Sequence, residues 1–257
     1  MPKFAANLTM LFTELPFLER FKAASDKGFE FVEYLFPYDW STEALTHQLK
    51  THHLTQVLFN LPPGDWAIGE RGIACLPDRI EEFKQGVDLA IEYAKALGVK
   101  QINCLAGIAP KEVETAILWQ TLASNVTYAA QKFQQHDLTL LIEPINSKVD
   151  MPEFFIDNLE KAIQLITEVN EANVKIQFDI YHMQIMQGNI LRSLEHYLPL
   201  IGHIQFADCP GRHEPGTGEL NFTNIFKQLD ALNYAHYLSA EYIPKQNTSL
   251  SLQWFSL

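Results

Sequence analysis

The chain has 257 residues, 47% of them hydrophobic, and a formal net charge of −12 from 19 Lys and Arg against 31 Asp and Glu. The apolar and aromatic content excludes an intrinsically disordered chain, and three cysteines are too few for a disulfide-built scaffold. The acidic balance argues against nucleic acid or an anionic membrane as the main partner, because phosphate binding needs clustered lysine and arginine.

Eight short apolar runs alternate with amphipathic stretches from end to end, a pattern typical of strand–helix units. The runs are Phe4–Asn7, Phe31–Tyr34, Thr55–Asn60, Gln101–Cys104, Thr139–Glu143, Val174–Asp179, Ile201–Gln205 and Tyr237–Glu241. Eight units in about 250 residues predict an α/β fold, a single (β/α)8 TIM barrel domain over residues 1–257. A doubly wound open sheet is the rival fold, but it would not need eight units so evenly spaced.

Several helices carry recognisable ends. Ser41 and Asn221 are placed as N-caps of the second and the last long helix. Asp78 with Glu81 resembles a capping box for the helix that follows, and Gly98 is placed as its C-cap.

The interval after the third strand is the longest, because Leu61–Arg79 is rich in Pro and Gly and has no clear period. This segment is predicted to be a long loop over the barrel mouth, where it could act as a lid with Trp66 shielding the site. Glu70 and Arg71 are candidate substrate-binding residues in it, and a solvated loop tip is the alternative. The final helix is predicted to be short, over residues 248–255.

Four strand ends in the second half of the chain finish on oxygen-bearing side chains: Glu143, Asp179, Gln205 and Glu241. In a parallel barrel these side chains can meet at the C-terminal mouth, where such folds place their active sites. Three carboxylates there would repel one another unless some are protonated or a cation neutralises them. Hard oxygen donors suit Mg²⁺ or Mn²⁺, so the four are predicted metal ligands. A single acidic residue after a strand is more often a helix N-cap.

Two basic side chains follow these strand ends. His182 comes just after Asp179 and could donate to a developing oxyanion, while Arg212, in a turn-rich loop after Gln205, could bind a substrate carboxylate. A backbone-satisfied helix-start histidine and a solvated arginine paired with a nearby glutamate are the alternatives. His203 is predicted to face the helix layer.

Longer strings resemble the hydroxypyruvate isomerase family, within the xylose-isomerase-like TIM barrels, over nearly the whole chain. They are Phe4–Phe12, Asn60–Cys75, Ile142–Asn146, Asp179–Met183 and Arg212–Glu219. The resemblance implies the same four metal ligands, with Glu143 and Glu241 also serving as the acid/base pair. It implies an isomerase that interconverts hydroxypyruvate and 2-hydroxy-3-oxopropanoate (tartronate semialdehyde) through an enediolate. His182 and Arg212 match positions that hold substrate oxygens in the related ketose 3-epimerases.

The chain departs from the epimerases at two positions, which favours the hydroxypyruvate isomerase branch. It has Gln205 where they have a histidine ligand, and Val149 where they have a further glutamate. Residues 242–245, Tyr-Ile-Pro-Lys, replace that branch's usual Tyr-Lys-Pro. A 2-oxo-tetronate isomerase or a ketose 3-epimerase therefore stays as the alternative, ahead of a metal-dependent phosphodiesterase or a non-catalytic sugar-acid binding protein.

The family resemblance predicts a small 2-oxo or hydroxy acid as the partner, and the acidic composition predicts that neither nucleic acid nor a membrane is bound. No export signal is visible, and no stretch reaches the roughly 18 apolar residues of a membrane helix. Free thiols fit a reducing compartment, so a cytoplasmic protein is expected. Assembly into a homo-oligomer stays open.

Overall fold

A computed structural model of the protein describes residues 3–256. Its strands are β1 Lys3–Asn7, β2 Phe31–Glu33, β3 Thr55–Asn60, β4 Gln101–Cys104, β5 Thr139–Ile142, β6 Val174–Asp179, β7 Ile201–Phe206 and β8 Tyr237–Ala240. Its α-helices are α1 Arg20–Asp26, α2 Thr42–Thr51, α3 Ile80–Leu97, α4 Thr115–Gln134, α5 Leu159–Val169, α6 Ile180–Met186, α7 Ile190–Tyr197, α8 Phe222–Ala231 and α9 Thr248–Ser251. None of the helices within residues 3–256 is both long enough and apolar enough to cross a membrane.

The eight strands pair in parallel and in chain order, and β8 closes the sheet onto β1. This confirms the predicted (β/α)8 barrel. A large apolar core fills the space between the sheet and the helices, while a small cluster containing Ala5, Val57 and Leu141 packs separately. Side chains alternate between the two faces of a strand, so Ala5 and Leu141 lie one layer below the polar side chains of Asn7 and Glu143 inside the barrel. The barrel interior thus has a polar mouth with a partly apolar layer below it.

Three of the predicted helix ends are confirmed. The Ser41 and Asn221 side chains accept hydrogen bonds from the first turns of α2 and α8, and Gly98 ends α3 at a φ of +73°. The predicted capping box is wrong, because Asp78 lies within a 3-10 turn over Pro77–Arg79 and α3 begins only at Ile80. The proline starts that turn before the α-helix does, which moves Asp78 away from the N-cap position.

The long loop after β3 is partly built into the barrel. It contains two 3-10 turns, Trp66–Ile68 and Pro77–Arg79, and its buried segment 73–75 is anchored where the Cys75 amide donates to the Ala106 carbonyl. The end of the chain is also less regular than predicted, since α9 gives way to a 3-10 turn over Leu252–Ser256.

A matched glycine pair tests how tightly this loop is held. Gly72 and Gly69 share a φ of +102°, but a Cβ at Gly72 would collide with the backbone oxygen of Leu105, while Gly69 has open space. Gly69→Ala should lose only the cost of a left-handed backbone, about 1–2 kcal/mol. Gly72→Ala should lose clearly more free energy of unfolding in urea titrations. Equal losses would show that the close approach to Leu105 contributes nothing.

Candidate active site

The four oxygen-bearing side chains predicted as ligands meet at the C-terminal mouth of the barrel. Glu143 and Glu241 directly follow β5 and β8, Asp179 ends β6, and Gln205 lies opposite Asp179 in the pairing of β6 with β7. All four are buried, with at most 5% of each exposed. The closed sheet thus places the four residues at the C-terminal ends of four consecutive strands.

Burial and mutual repulsion dominate the electrostatics of the three carboxyl groups. Burial, followed by the charges of Glu241 and Asp179, holds the pKa of Glu143 well above its usual value. Burial also raises the pKa of Asp179 to about 6 and that of Glu241 to about 8, although the Arg212 guanidinium opposes both shifts. Without a bound cation, protonation therefore reduces the negative charge that these three groups bring into the site.

One oxygen of Asp179 is an unused buried acceptor. Its Oδ1 accepts from the Tyr181 amide and so caps α6, whereas Oδ2 has no hydrogen-bond partner. An unpaired buried carboxylate oxygen is costly unless something positive binds it. Among the described residues, Glu143, Asp179 and His182 have ligand atoms within 4.8 Å of one another. The carboxylate oxygens of Glu143 and Asp179, including the orphaned Oδ2, fit a divalent cation, and His182 faces them with its Nε2.

His182 presents a proton to this space. Its Nε2 lies 3.4 Å from Asp179 Oδ2 and 3.9 Å from Glu143 Oε1. The Asn146 Oδ1 accepts from two backbone amides, so its Nδ2 must face His182 Nδ1, 2.7 Å away. Nδ1 is then the acceptor, and the proton of the neutral ring lies on Nε2. Burial, then Arg212, hold the pKa of His182 well below its usual value, so this ring is a neutral hydrogen-bond donor.

Arg212 enters the same space from the loop after β7. Its Nη2 donates to Glu241 Oε2 at 2.7 Å and lies 3.7 Å from Asp179 Oδ2, while Nη1 lies 3.5 Å from Asp150 Oδ1. Burial lowers the pKa of Arg212, but the surrounding carboxylates, Glu241 first, more than offset this and raise it. The guanidinium therefore stays charged and is held where a substrate anion could meet it.

The loop that carries Arg212 is organised around a buried carboxylate that sequence reasoning did not single out. Asp208 accepts four backbone N–H groups, from residues 209, 216, 218 and 220. Gly218 lies so close that a Cβ would collide with the Cys209 oxygen, and Arg212 itself has a φ of +55°. These bonds fix the curvature of the loop and hence the direction of Arg212.

The two candidates from the long loop are directed elsewhere. Glu70 pairs with Arg79, whose Nη1 lies 2.6 Å from Glu70 Oε1. Arg71 stacks its guanidinium 4.0 Å from the centre of the Trp66 ring and donates to the carbonyls of Trp66 and Glu70. Their contacts hold the loop together, and a part in substrate binding stays a prediction, as does lid movement.

The prediction that His203 faces the helix layer is wrong. Its Nε2 lies 2.8 Å from Glu33 Oε2 inside the barrel, because residues two apart in a strand share a face and His203 therefore points the same way as Gln205. Sequence reasoning also missed Glu33 and Asn7 beneath the site, and Asn103, which donates to Glu143 Oε2 at 2.8 Å. The sequence signal that could have revealed these three residues is a polar side chain within an apolar run or at its end.

Comparison with known proteins identifies the family. A family model described as "Xylose isomerase-like TIM barrel" matches residues 21–256. The chain is 47% identical to the hydroxypyruvate isomerase of Escherichia coli, over 99% of this chain and 98% of that protein. It is 43% identical to the 2-oxo-tetronate isomerase of Pectobacterium atrosepticum, over 99% of this chain and 97% of that protein.

Solved structures show the same fold. A Brucella melitensis structure described as an AP endonuclease of family 2 is 44% identical, with a TM-score of 0.97 over 100% of this chain and 98% of that chain. The 3-keto-D-glucoside 4-epimerase of E. coli has a TM-score of 0.80 over 100% of this chain and 99% of that chain. At 21% identity this second likeness concerns the fold alone.

The raised pKa of Glu241 predicts a pH dependence of stability in cation-free protein. The folded state then holds the Glu241 proton more tightly than the unfolded chain does. This contribution is complete below the ordinary pKa of 4.5 and is lost as the pH rises through about 8. Urea unfolding in EDTA should show the free energy of unfolding falling over this range, and falling less in Glu241→Gln. Parallel pH profiles for the two proteins would contradict the assignment.

Proposed function

The chain belongs to the xylose isomerase-like TIM barrel family, in the group of hydroxypyruvate and 2-oxo-tetronate isomerases, and we propose that it interconverts hydroxypyruvate and 2-hydroxy-3-oxopropanoate. The reaction moves one proton from C3 to C2 through an enediolate and shifts a hydroxyl proton from O3 to O2. No external oxidant or reductant is needed, because C3 is oxidised as C2 is reduced. The observation that carries the proposal is the pair of buried carboxyls, Glu143 and Glu241, grouped with Asp179 in one small space.

Glu143 and Glu241 are the proton carriers in this proposal. They extend from β5 and β8, which are separated by two strands, so they can reach neighbouring carbons of one small substrate from different directions. One carboxylate takes the C3 proton, and the other acid delivers a proton to C2.

Arg212 and His182 orient the substrate. The guanidinium of Arg212 is a planar donor suited to a carboxylate, and its Nη2 already binds one at Glu241. The Nε2–H of His182 is a neutral donor for a substrate oxygen that gains negative charge. Because the ring is held by Asn146, it need not reorient during the reaction.

The residues that would hold a divalent cation are Glu143, Asp179, Gln205 and Glu241, with Mg²⁺ or Mn²⁺ as the ion that matches hard oxygen donors. Such an ion, when bound, supplies positive charge that polarises the substrate carbonyl and stabilises the enediolate. Treatment with EDTA should abolish activity, and Mg²⁺ or Mn²⁺ should restore it. Full activity of thoroughly metal-free protein would refute the cation requirement.

Substitution of the two glutamates tests the proton carriers. Glu143→Gln and Glu241→Gln keep an oxygen and a similar volume but remove the basic carboxylate. Each should lower kcat by roughly 10²–10⁴-fold with Mn²⁺ saturating. Gln205→Ala is the matched control, because it should weaken cation binding and be partly rescued by excess Mn²⁺. A near wild-type kcat in either Glu→Gln variant would exclude the two-carboxylate mechanism.

A 2-oxo-tetronate isomerase is the second candidate, supported by the 43% identical relative from Pectobacterium. It would use the same carboxylates on a substrate one carbon longer. Residue 243 is a place where the two could differ, since its amide donates to the Arg212 carbonyl and its side chain is half exposed. Steady-state kcat/KM for hydroxypyruvate, 2-oxo-tetronate and a ketose would rank the three chemistries.

Two further functions, a metal-dependent phosphodiesterase and a protein that only binds sugar acids, are less well supported. A phosphodiesterase would need a basic face for DNA, which a net charge of −12 disfavours. Turnover of hydroxypyruvate, 2-oxo-tetronate or the ketose would exclude a protein that only binds sugar acids.

A further inference from the structure

A second polar cluster lies inside the barrel directly beneath the proposed cation site. We call it the inner network, and it consists of Asn7, Glu33, His203, Gln205 and Ser239. Each member is at most 1% exposed. The mechanism proposed above uses Gln205 alone, so the buried charge of Glu33 has no role in it. A buried carboxylate is costly unless its oxygens are bound, and Glu33 is bound on both.

Glu33 gathers the network through its two oxygens. Oε1 accepts from Asn7 Nδ2 at 2.9 Å and from Gln205 Nε2 at 2.7 Å. Oε2 lies 2.8 Å from His203 Nε2, which Ser239 Oγ also approaches at 3.0 Å. Oε1 therefore faces two amide donors and Oε2 faces a ring nitrogen and a hydroxyl group, which are the surroundings that suit an acceptor-only carboxylate.

The direction of the Asn7 amide is fixed independently. Its Oδ1 accepts from the backbone amides of Thr9 and Met10, at 3.0 and 3.3 Å. The Nδ2 group must therefore point to the carboxylates, and it donates to Glu33 Oε1 and also to Glu241 Oε1 at 3.0 Å. One neutral amide thus bridges Glu33 to a proposed cation ligand.

The orientation of the Gln205 carboxamide has to be set by the groups around it. Its oxygen can bind a cation and its NH₂ group cannot, yet the two ends have nearly the same shape. Because a carboxylate only accepts, Glu33 draws Nε2 toward itself and turns Oε1 the other way. There Oε1 accepts from Gln177 Nε2 at 2.6 Å, which leaves its second lone pair available.

We propose that Glu33 is a positioning residue, which orients the carboxamide of Gln205 so that it presents its oxygen, and not its NH₂ group, to a divalent cation. The proposal rests on the cation site of the proposed function. Glu33 itself contacts neither substrate nor cation in this scheme.

The test is Mn²⁺ binding to the full chain, measured by calorimetry and by the electron paramagnetic resonance signal of free Mn²⁺ at fixed pH. Glu33→Gln removes the obligatory acceptor and lets the Gln205 amide turn over. Loss of such a supporting partner typically weakens metal binding about 10–100-fold, and that loss is expected here. Gln101→Leu is the control, because it removes a buried glutamine bonded to the Gly202 carbonyl at the other end of the barrel, and it should bind Mn²⁺ normally.

A second parent variant, Gln205→Glu, distinguishes the loss of an oriented amide at residue 205 from a general disruption of the site. In Gln205→Glu protein the side chain presents an oxygen in either orientation. Adding Glu33→Gln there should cost no affinity, since the new amide can donate to the new carboxylate. An equal loss in both backgrounds would overturn the orienting role, as would wild-type affinity in Glu33→Gln alone. If Glu33→Gln alone does not fold, a loss on adding it to Gln205→Glu would still overturn the role.

The outcomes distinguish the two proposals. Failure of the wild-type protein to bind Mn²⁺ would refute the cation site and the proposed function with it. Normal binding by both the wild type and Glu33→Gln would refute only the role of Glu33.

Discussion

Three carboxyl groups share one buried space, and their repulsion is the constraint on which the rest of the barrel mouth depends. Glu143, Asp179 and Glu241 are each at least 95% buried, and Arg212 brings one positive charge against them. Burial, before the charges of neighbouring carboxylates, raises the pKa of each of the three groups, so that protons partly replace the missing positive charge. A bound divalent cation would take the place of those protons. The same arrangement that destabilises the empty site therefore favours cation binding.

This imbalance makes the position of Arg212 critical, because a guanidinium displaced by a few ångströms would no longer offset Glu241. The loop that carries it begins at a buried carboxylate, Asp208, whose oxygens accept four backbone amides. Because these bonds close the loop on one of its own side chains, its conformation depends little on contacts with the surrounding helices. Its bond from the Ile243 amide to the Arg212 carbonyl then ties it to the segment after β8, which also carries Glu241.

The fold and the four proposed ligands could be grouped from the sequence because parallel strands bring their carboxyl ends to one mouth. The supporting contacts could not, since they depend on residues far apart in the chain: Asn7 and Glu241 are 234 residues apart. A local signal did exist, because Glu33 interrupts an apolar run and a buried acid demands partners. The prediction for His203 is wrong because residues two apart in a strand share a face, which puts His203 on the same side as Gln205.

Neutral amide side chains stabilise the buried carboxylates by donating hydrogen bonds to them, without neutralising their charge. Asn7 donates to Glu241, Asn103 donates to Glu143, and Asn146 donates to His182. An amide hydrogen bond offsets part of the desolvation of a carboxylate but leaves its charge in place. A lysine in the same position would have stabilised the empty site and competed with a cation. Where the amide oxygen is bound by backbone N–H groups, as at Asn7 and Asn146, the donor direction is set by the chain itself. The site can therefore keep its negative charge for a cation while its geometry is fixed in advance.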